Sequence, residues 1–349
     1  MREWMSDLVY PLNIFYEEPD PDRWVPYDRY PRRIIRFFRY LVQKPPPPSG
    51  QRMVYLNLLK GLDRLDIPYR TNDFRHARHH PEELACVVGK PHVLDKYDWE
   101  NPILFGASAF PHPIDCPNLF EEYPVERFLV PGAWKKKMCE PYYGEDRVTV
   151  WPVGIDTEEW RPQFSNSEKD DFILLYNKIH WYHDYFESTF IGPIREKIEQ
   201  ENIKIETLGY GSYRPSDLKD ALRKCKAVVY LSEHETQGIA YQQMLASGVP
   251  IFVWDRGGYW QDPEYFPDRV RYRPVTSVPY WDERCGVKFE NLTEFNDRFM
   301  AFWDRVLSGM FSPREYIVEN LTLEKSAKHY VSIAEDIAEE SSAEVTSIQ

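Results

Sequence analysis

An apolar run, Ala227–Leu231, passes through the polar turn Ser232–Gln237 into a helical stretch starting near Gly238, and a second apolar run, Pro250–Trp254, follows. Short apolar runs bounded by turn residues read as buried strands. Gly248 accepts the left-handed conformation past a helix C-terminus, and Pro250 cannot continue a helix, so the helix between the runs must be short. Strand, helix and strand joined by short links form a right-handed parallel crossover. Such units bind ligands beyond the carboxyl ends of their strands. The loop at 232–238 and the loop Asp255-Arg256-Gly257-Gly258 share that edge.

The residues of this stretch also resemble the donor-site signature of retaining GT-B glycosyltransferases (glycosyltransferase group 1, family 4-like). That signature runs Ser-x-x-Glu-Gly-Phe-Gly, then a second glutamate, then Ala-Met-Ala-x-Gly-x-Pro. Ser232, Glu235, Gly238, Ala246, Gly248 and Pro250 fall in register, and Gln243 stands where the second glutamate is expected. A second match covers Val148–Pro162: Pro152, Gly154, Asp156, Trp160 and Pro162 follow the interdomain pattern Pro-Asn-Gly-Val-Asp-x-x-x-Phe-x-Pro, with Val153 in place of the asparagine. There Gly154 suits a tight turn and Asp156 a cap. The resemblance implies an α/β chain with two Rossmann-like domains facing a cleft. The N-terminal one, 1–150, would take the acceptor. The C-terminal one, 151–322, would take the nucleotide-sugar. A last helix at 323–337 would return to the first domain, and 338–349 reads as a disordered tail.

Composition narrows the function. A chain of 349 residues is natural for two cores, and 42% hydrophobic content supports a globular protein. A formal net charge of −13 argues against a nucleic-acid partner, because phosphate contacts need a basic face. Five scattered cysteines (Cys86, Cys116, Cys139, Cys225, Cys285) form no metal spacing and no disulfide framework, which suits a reducing, cytoplasmic setting. No apolar run reaches the length of a membrane span.

In the N-terminal half, Leu12–Tyr16, Ile67–Arg70, Leu84–Val88, Ile103–Phe105 and Phe128–Val130 read as strands alternating with helical segments. Arg32–Lys44 (RRIIRFFRYLVQK) is a basic, aromatic helix. It can lie on an anionic membrane surface or pack on its own domain under arginine stems. Pro45–Pro48 is a stiff spacer. His76, His79 and His80 (HARHH) lie in a charged, loop-like stretch and are not read as metal ligands. His112, in Phe-Pro-His-Pro, follows a strand end; the resemblance implies a role against the donor sugar, with a structural histidine as the alternative.

In the C-terminal half, Phe172–Tyr176 is a strand ending at Asn177-Lys178-Ile179-His180, and Ile203–Leu208 is a strand ending in the glycine loop 209–213. Ser216 is placed to cap the next helix. The resemblance assigns Lys178 to the donor diphosphate and Glu235 to sugar hydroxyls. It places Gln237, Gly238 and Ile239 at a helix N-terminus whose N–H groups and dipole favour phosphate. It further places Gln243 at the ribose, Gly211 at the base, and Arg256, Gly257 and Gly258 near the diphosphate. Residues 261–286 read as loops with no role beyond a rim.

The implied activity is hexosyl transfer from a nucleotide-sugar to a glycan, lipid-linked or small-molecule acceptor, with retention at the anomeric carbon, no metal and no cofactor. The chain lacks a paired-carboxylate motif of glycosidase type, in keeping with the departing diphosphate taking the acceptor proton. A nucleotide-sugar epimerase of the same fold, or a non-catalytic sugar- or nucleotide-binding protein, are the alternatives; Gln243 is the residue that keeps the latter open.

Overall fold

The computed structural model describes residues 11–42, 48–107 and 109–348. Most of the proline spacer therefore lies outside the described residues. The strands are β1 (Leu12–Phe15), β2 (Tyr69–Thr71), β3 (Ala85–Val88), β4 (Ile103–Gly106), β5 (Val125–Val130), β6 (Val148–Val150), β7 (Phe172–Asn177), β8 (Lys204–Gly209), β9 (Ala227–Leu231), β10 (Ile251–Trp254) and β11 (Gly286–Phe289). They form two sheets, of order β2-β1-β3-β4-β5-β6 and β11-β10-β9-β7-β8. Every pairing in the second sheet is parallel, as are those from β1 to β5 in the first. The chain divides into two compact units, 1–56 with 66–129 and 332–349, and 57–65 with 130–331.

The central strands β7, β9 and β10 are near-continuously apolar because helices cover both of their faces, whereas the edge strand β8 is largely exposed. Period-two alternation sorts the side chains of the sheet. Phe172, Leu174 and Tyr176 of β7 join Tyr230, Tyr241, Met244, Leu245 and Ile317 on one side. Ile173 and Leu175 join Ile194, Ile198, Phe252, Phe295 and Phe302 on the other. The helices carrying these residues span Gly192–Gln200, Ile239–Ala246, Leu292–Leu307 and Pro313–Asn320. The short helix Ile239–Ala246 ends as expected: Gly248 is left-handed, with φ +73°.

Four expectations need correction. The basic helix runs Arg29–Val42, starting three residues earlier than its apolar pattern suggests, where the Asp22 carboxylate accepts the Arg29 N–H at 3.1 Å and so satisfies a donor of the first turn. Ser216 lies inside the helix Pro215–Lys224; the group that closes its first turn is Asp217, which accepts the Arg214 N–H at 2.8 Å. The last helix is continuous from Leu323 to Ile348, so the stretch from 338 is helical as far as Ile348. Arg127 holds it at Glu340 with contacts of 2.7 and 2.8 Å. Gly154 is required by closeness rather than by turn conformation. A Cβ there would sit 2.5 Å from the Thr322 carbonyl oxygen and 2.7 Å from Leu323 Cα, where Ile155 bridges to Thr322.

Gly154→Ala should therefore cost about 2–4 kcal/mol, read as a fall in the urea midpoint. Gly50→Ala, at a position with nothing within 4 Å at the start of the Gly50–Arg64 helix, is the control and should not lower the midpoint.

Candidate functional site

In the second sheet, the chain leaves β7 for β8 on one side, then returns to β9 and continues to β10 and β11 on the other. The switch in strand order lies between β7 and β9, which is where open parallel sheets leave a crevice. Lys178 follows β7 directly, and Glu235 sits in the turn after β9. Lys178 Nζ lies 2.7 Å from Glu235 Oε1 and 2.8 Å from Oε2. The carboxylate is almost wholly buried, with 4% exposure. The same ammonium stands 4.7 Å above the Tyr210 ring, a cation–π contact.

Below this pair lie two tyrosines that the register places side by side. Tyr176 and Tyr230 are cross-strand partners with rings stacked at 5.2 Å. Tyr230 donates its hydroxyl to Glu235, and Tyr176 shares a 2.6 Å hydrogen bond with Tyr213. Burial, then the Glu235 charge, pushes the Tyr230 hydroxyl far above its ordinary range, so it stays a donor. The turn is fastened from several directions. The Glu235 N–H donates to the Thr276 carbonyl at 2.9 Å, the Trp134 indole donates to the Glu235 carbonyl at 2.9 Å, and the Ser277 hydroxyl donates to the Ser232 carbonyl at 2.7 Å. The 261–286 segment, expected only as a rim, thus supports the central turn.

Glu233, which sequence reasoning passed over, accepts the His180 and Trp181 N–H groups at 2.9–3.1 Å and so orders the loop after β7. His234 stacks on Trp181 at 5.7 Å, and its Nε2 accepts the Trp260 indole N–H at 3.2 Å. The residue is half-buried, and Nδ1 is shut off from solvent with no hydrogen-bond partner among the described residues. Burial, reinforced by the neighbouring His180 imidazole and the cations Lys178 and Arg256, pushes His234 down to about 3. Burial and Lys178 also lower His180.

The other sequence candidates of the second unit fall at the same sheet edge. Gly238 is left-handed, with φ +64°, and a Cβ would strike the Tyr241 ring at 2.0 Å. It precedes the Ile239–Ala246 helix, whose first N–H groups have no intrahelical acceptor. The Gln237 side-chain amide is buried, with neither polar atom partnered among the described residues. Gln243 is half-buried on that helix. Arg256 donates to the Glu233 carbonyl, the Gln261 side chain and the Tyr259 carbonyl, all neutral oxygens, so its charge is not cancelled by these bonds. Gly257 and Gly258 (φ +61° and +72°) and Gly211 (φ +80°) give open turns with nothing within 4 Å of a notional Cβ. His112 belongs to the first unit. It is 2% exposed, and its Nδ1 accepts the Ile114 N–H at 3.2 Å, capping a short turn.

Chemically, this edge offers helix N–H donors, a guanidinium whose hydrogen bonds go to neutral oxygens and an orphan amide for an anionic, hydroxylated ligand, around a buried ion pair. No protein-family model and no curated protein matches the sequence. Solved structures do. AviGT4, a glycosyltransferase involved in avilamycin A biosynthesis, aligns over 94% of this chain and 98% of its own, at 14% identity and a TM-score of 0.51. TarM aligns over 75% of this chain and 57% of its own, at 14% identity and 0.51. A variant of S. aureus TarM in complex with fondaparinux, alpha-GlcNAc-glycerol and UDP aligns over 72% and 55%, at 13% and 0.50. The chain thus spans little more than half the length of TarM. These likenesses show the fold: two parallel-sheet α/β units of the GT-B type.

Removing one partner of a buried ion pair strands the other charge. Lys178→Met should destabilise the protein by about 3–5 kcal/mol, and adding Glu235→Gln should restore most of it, as measured by urea denaturation. His234, depressed from 6.5 to about 3, stays neutral in the native state while the unfolded chain takes a proton below 6.5. Its contribution is complete above pH 6.5 and is lost as pH falls from 6.5 toward 3. Histidine NMR should find no His234 titration between pH 5 and 8, and His234→Phe should flatten the acid limb of the stability curve.

Proposed function

We propose that this chain is a hexosyltransferase that moves a sugar from a nucleotide-sugar to a glycan, lipid-linked or small-molecule acceptor, retaining the anomeric configuration and using no metal or cofactor in the transfer. The observation that carries the reading is the grouping of Lys178, Glu235, Arg256 and the start of the Ile239–Ala246 helix at the switch point of the second sheet.

In this reading the diphosphate rests on the N–H groups of Gln237, Gly238 and Ile239, near Arg256, Gly257 and Gly258. The base lies toward Gly211 and the ribose toward Gln243. Lys178 and Glu235 act as a unit: the carboxylate and the Tyr210 ring orient the ammonium toward the leaving group. As the bond from the anomeric carbon to the phosphate oxygen breaks, charge grows on that oxygen. Donors fixed beforehand stabilise it more than they stabilise the bound substrate. The acceptor hydroxyl bonds to the anomeric carbon on the same face and passes its proton to the departing phosphate oxygen. Glutamine at 243 makes neutral hydrogen bonds to the ribose and costs on the order of 1 kcal/mol of affinity relative to glutamate. That same glutamine favours the second reading, a binding protein without turnover.

The Arg29–Val42 helix supports a peripheral contact with the inner face of the membrane. Ile34, Ile35, Phe37 and Phe38 are about 60% exposed. Arg33 and Arg36 pair with Asp20 at 2.8 and 3.0 Å, so apolar area rather than net charge would dominate. No helix among the described residues is long and apolar enough to cross a membrane.

A thermal-shift panel with UDP, GDP, ADP, CDP and TDP, run without metal, should single out one nucleotide. With its sugar conjugate, turnover should be measurable, fall by about 100-fold or more in Glu235→Gln, and rise in Gln243→Glu. Binding with no turnover in either the parent or Gln243→Glu would favour the binding-protein reading, and no shift with any nucleotide would overturn both. In vesicle co-sedimentation, Phe37→Ser with Phe38→Ser should release the protein from anionic vesicles without moving its melting temperature.

A further inference from the structure

The HARHH stretch is a helix, Phe74–His79, with His80 closing it, so His76 and His80 stand one turn apart on the same side. Glu83, in the connection to β3, meets both. His76 Nε2 lies 2.9 Å from Glu83 Oε2, and His80 Nδ1 lies 3.8 Å from Oε1. One ligand atom from each of the three residues falls within 4.8 Å of the others. The histidine rings stack at 4.2 Å.

The three side chains are held by their surroundings. Asp73 caps the helix through the His76 N–H at 2.9 Å. Asn101, 1% exposed, donates to the His80 and Glu83 carbonyls at 2.8 and 2.9 Å and so fixes the intervening turn. Asn13, on β1, donates to Glu83 Oε2 at 2.8 Å. One side opens on a surface depression lined by Asp73, Arg75, His76, His79 and His80.

We propose that His76, His80 and Glu83 bind a divalent transition-metal ion, Zn(II) by its preference for this ligand set, in the first unit. Two imidazoles and a carboxylate suit Zn(II), with ligand distances of about 2.0–2.2 Å and ligand atoms about 3.3 Å apart, so the observed spacing of up to 4.8 Å needs to close by about 1.5 Å at most. The ion would sit between His76 Nε2 and the Glu83 carboxylate, and solvent from the depression would complete the shell. Asn13 is then the outer group that orients the carboxylate. Arg70, 3.7 Å from Glu83, and Arg75 on the rim oppose a cation by their charge. A protonated imidazole has no lone pair for a metal, so binding of the ion is coupled to proton release. His79 takes no part: its Nδ1 is turned to the Arg75 carbonyl at 2.7 Å. The ion would tie the 74–80 helix to β1 as a structural staple, independent of the transfer reaction.

The test is calorimetric titration of the chelator-treated full chain with Zn(II), alongside the visible spectrum with Co(II). One ion per chain, intense tetrahedral Co(II) bands and a melting temperature raised by Zn(II) are expected. His80→Asn, at a half-exposed position that should not disturb folding, should abolish all three, and Glu83→Gln should weaken binding by about 100-fold or more. Asn13→Ala should cost about 10–100-fold, and His79→Asn nothing. Faint octahedral bands, or affinity unchanged in both His80→Asn and Glu83→Gln, would reduce the site to adventitious surface binding and overturn the proposal.

Discussion

A lysine and a glutamate that meet at 2.7–2.8 Å, out of reach of most solvent, are the constraint around which the second unit is arranged. A buried carboxylate is costly unless it is paired and hydrogen-bonded, and Lys178 with the Tyr230 hydroxyl supplies both. Satisfying it demands that β7 and β9 be neighbours in one register, since a slip by one residue would turn Tyr230 to the opposite face. It also demands that the turn after β9 stay closed, which Thr276, Ser277 and Trp134 secure through backbone oxygens. The 261–286 segment has little regular structure, yet it serves as the clamp for this turn.

Parallel topology does the rest. Because every strand of the second sheet points the same way, each strand delivers its following loop to one edge, and the reversal of order between β7 and β9 parts the flanking loops there. Polar chemistry then gathers at that edge by construction. Lys178 follows one strand, Glu235 follows its neighbour, and Arg256 follows the next. The short helix beginning at Ile239 points its unsatisfied N–H groups the same way.

Much of this was legible in the chain. The apolar runs at 172–176 and 227–231, stopped by polar turns and followed by Gly248 and Pro250, leave little alternative to a parallel crossover, and the site candidates at 178, 235–239 and 256–258 share its edge. What was not legible involves contacts between distant residues or local rules overridden by packing. Tyr230 sits inside an apolar run and reads as core until the register sets it under Glu235. Trp134 acts from 101 positions away. Its helix, Ala133–Tyr143, carries Pro141 and shows no clear apolar stripe. Gly154 read as a turn residue, when only the passage of Thr322 and Leu323 beside it explains its size. The polar stretch from 338 had the composition of a free tail, but helix formers propagate readily from a packed segment, and Arg127 meets Glu340. HARHH looked like a loop because Glu83, which completes its geometry, lies beyond it.

The measurement that bears most directly on the second unit is a crystal structure with a nucleoside diphosphate bound. The diphosphate should lie at the carboxyl edge of the second sheet between β7 and β9, against the N–H groups of Gly238 and Ile239, with Arg256 beside it and Lys178 still paired to Glu235. A nucleotide seated elsewhere on the chain, or one that reached this edge without touching the start of the 239–246 helix, would contradict the account.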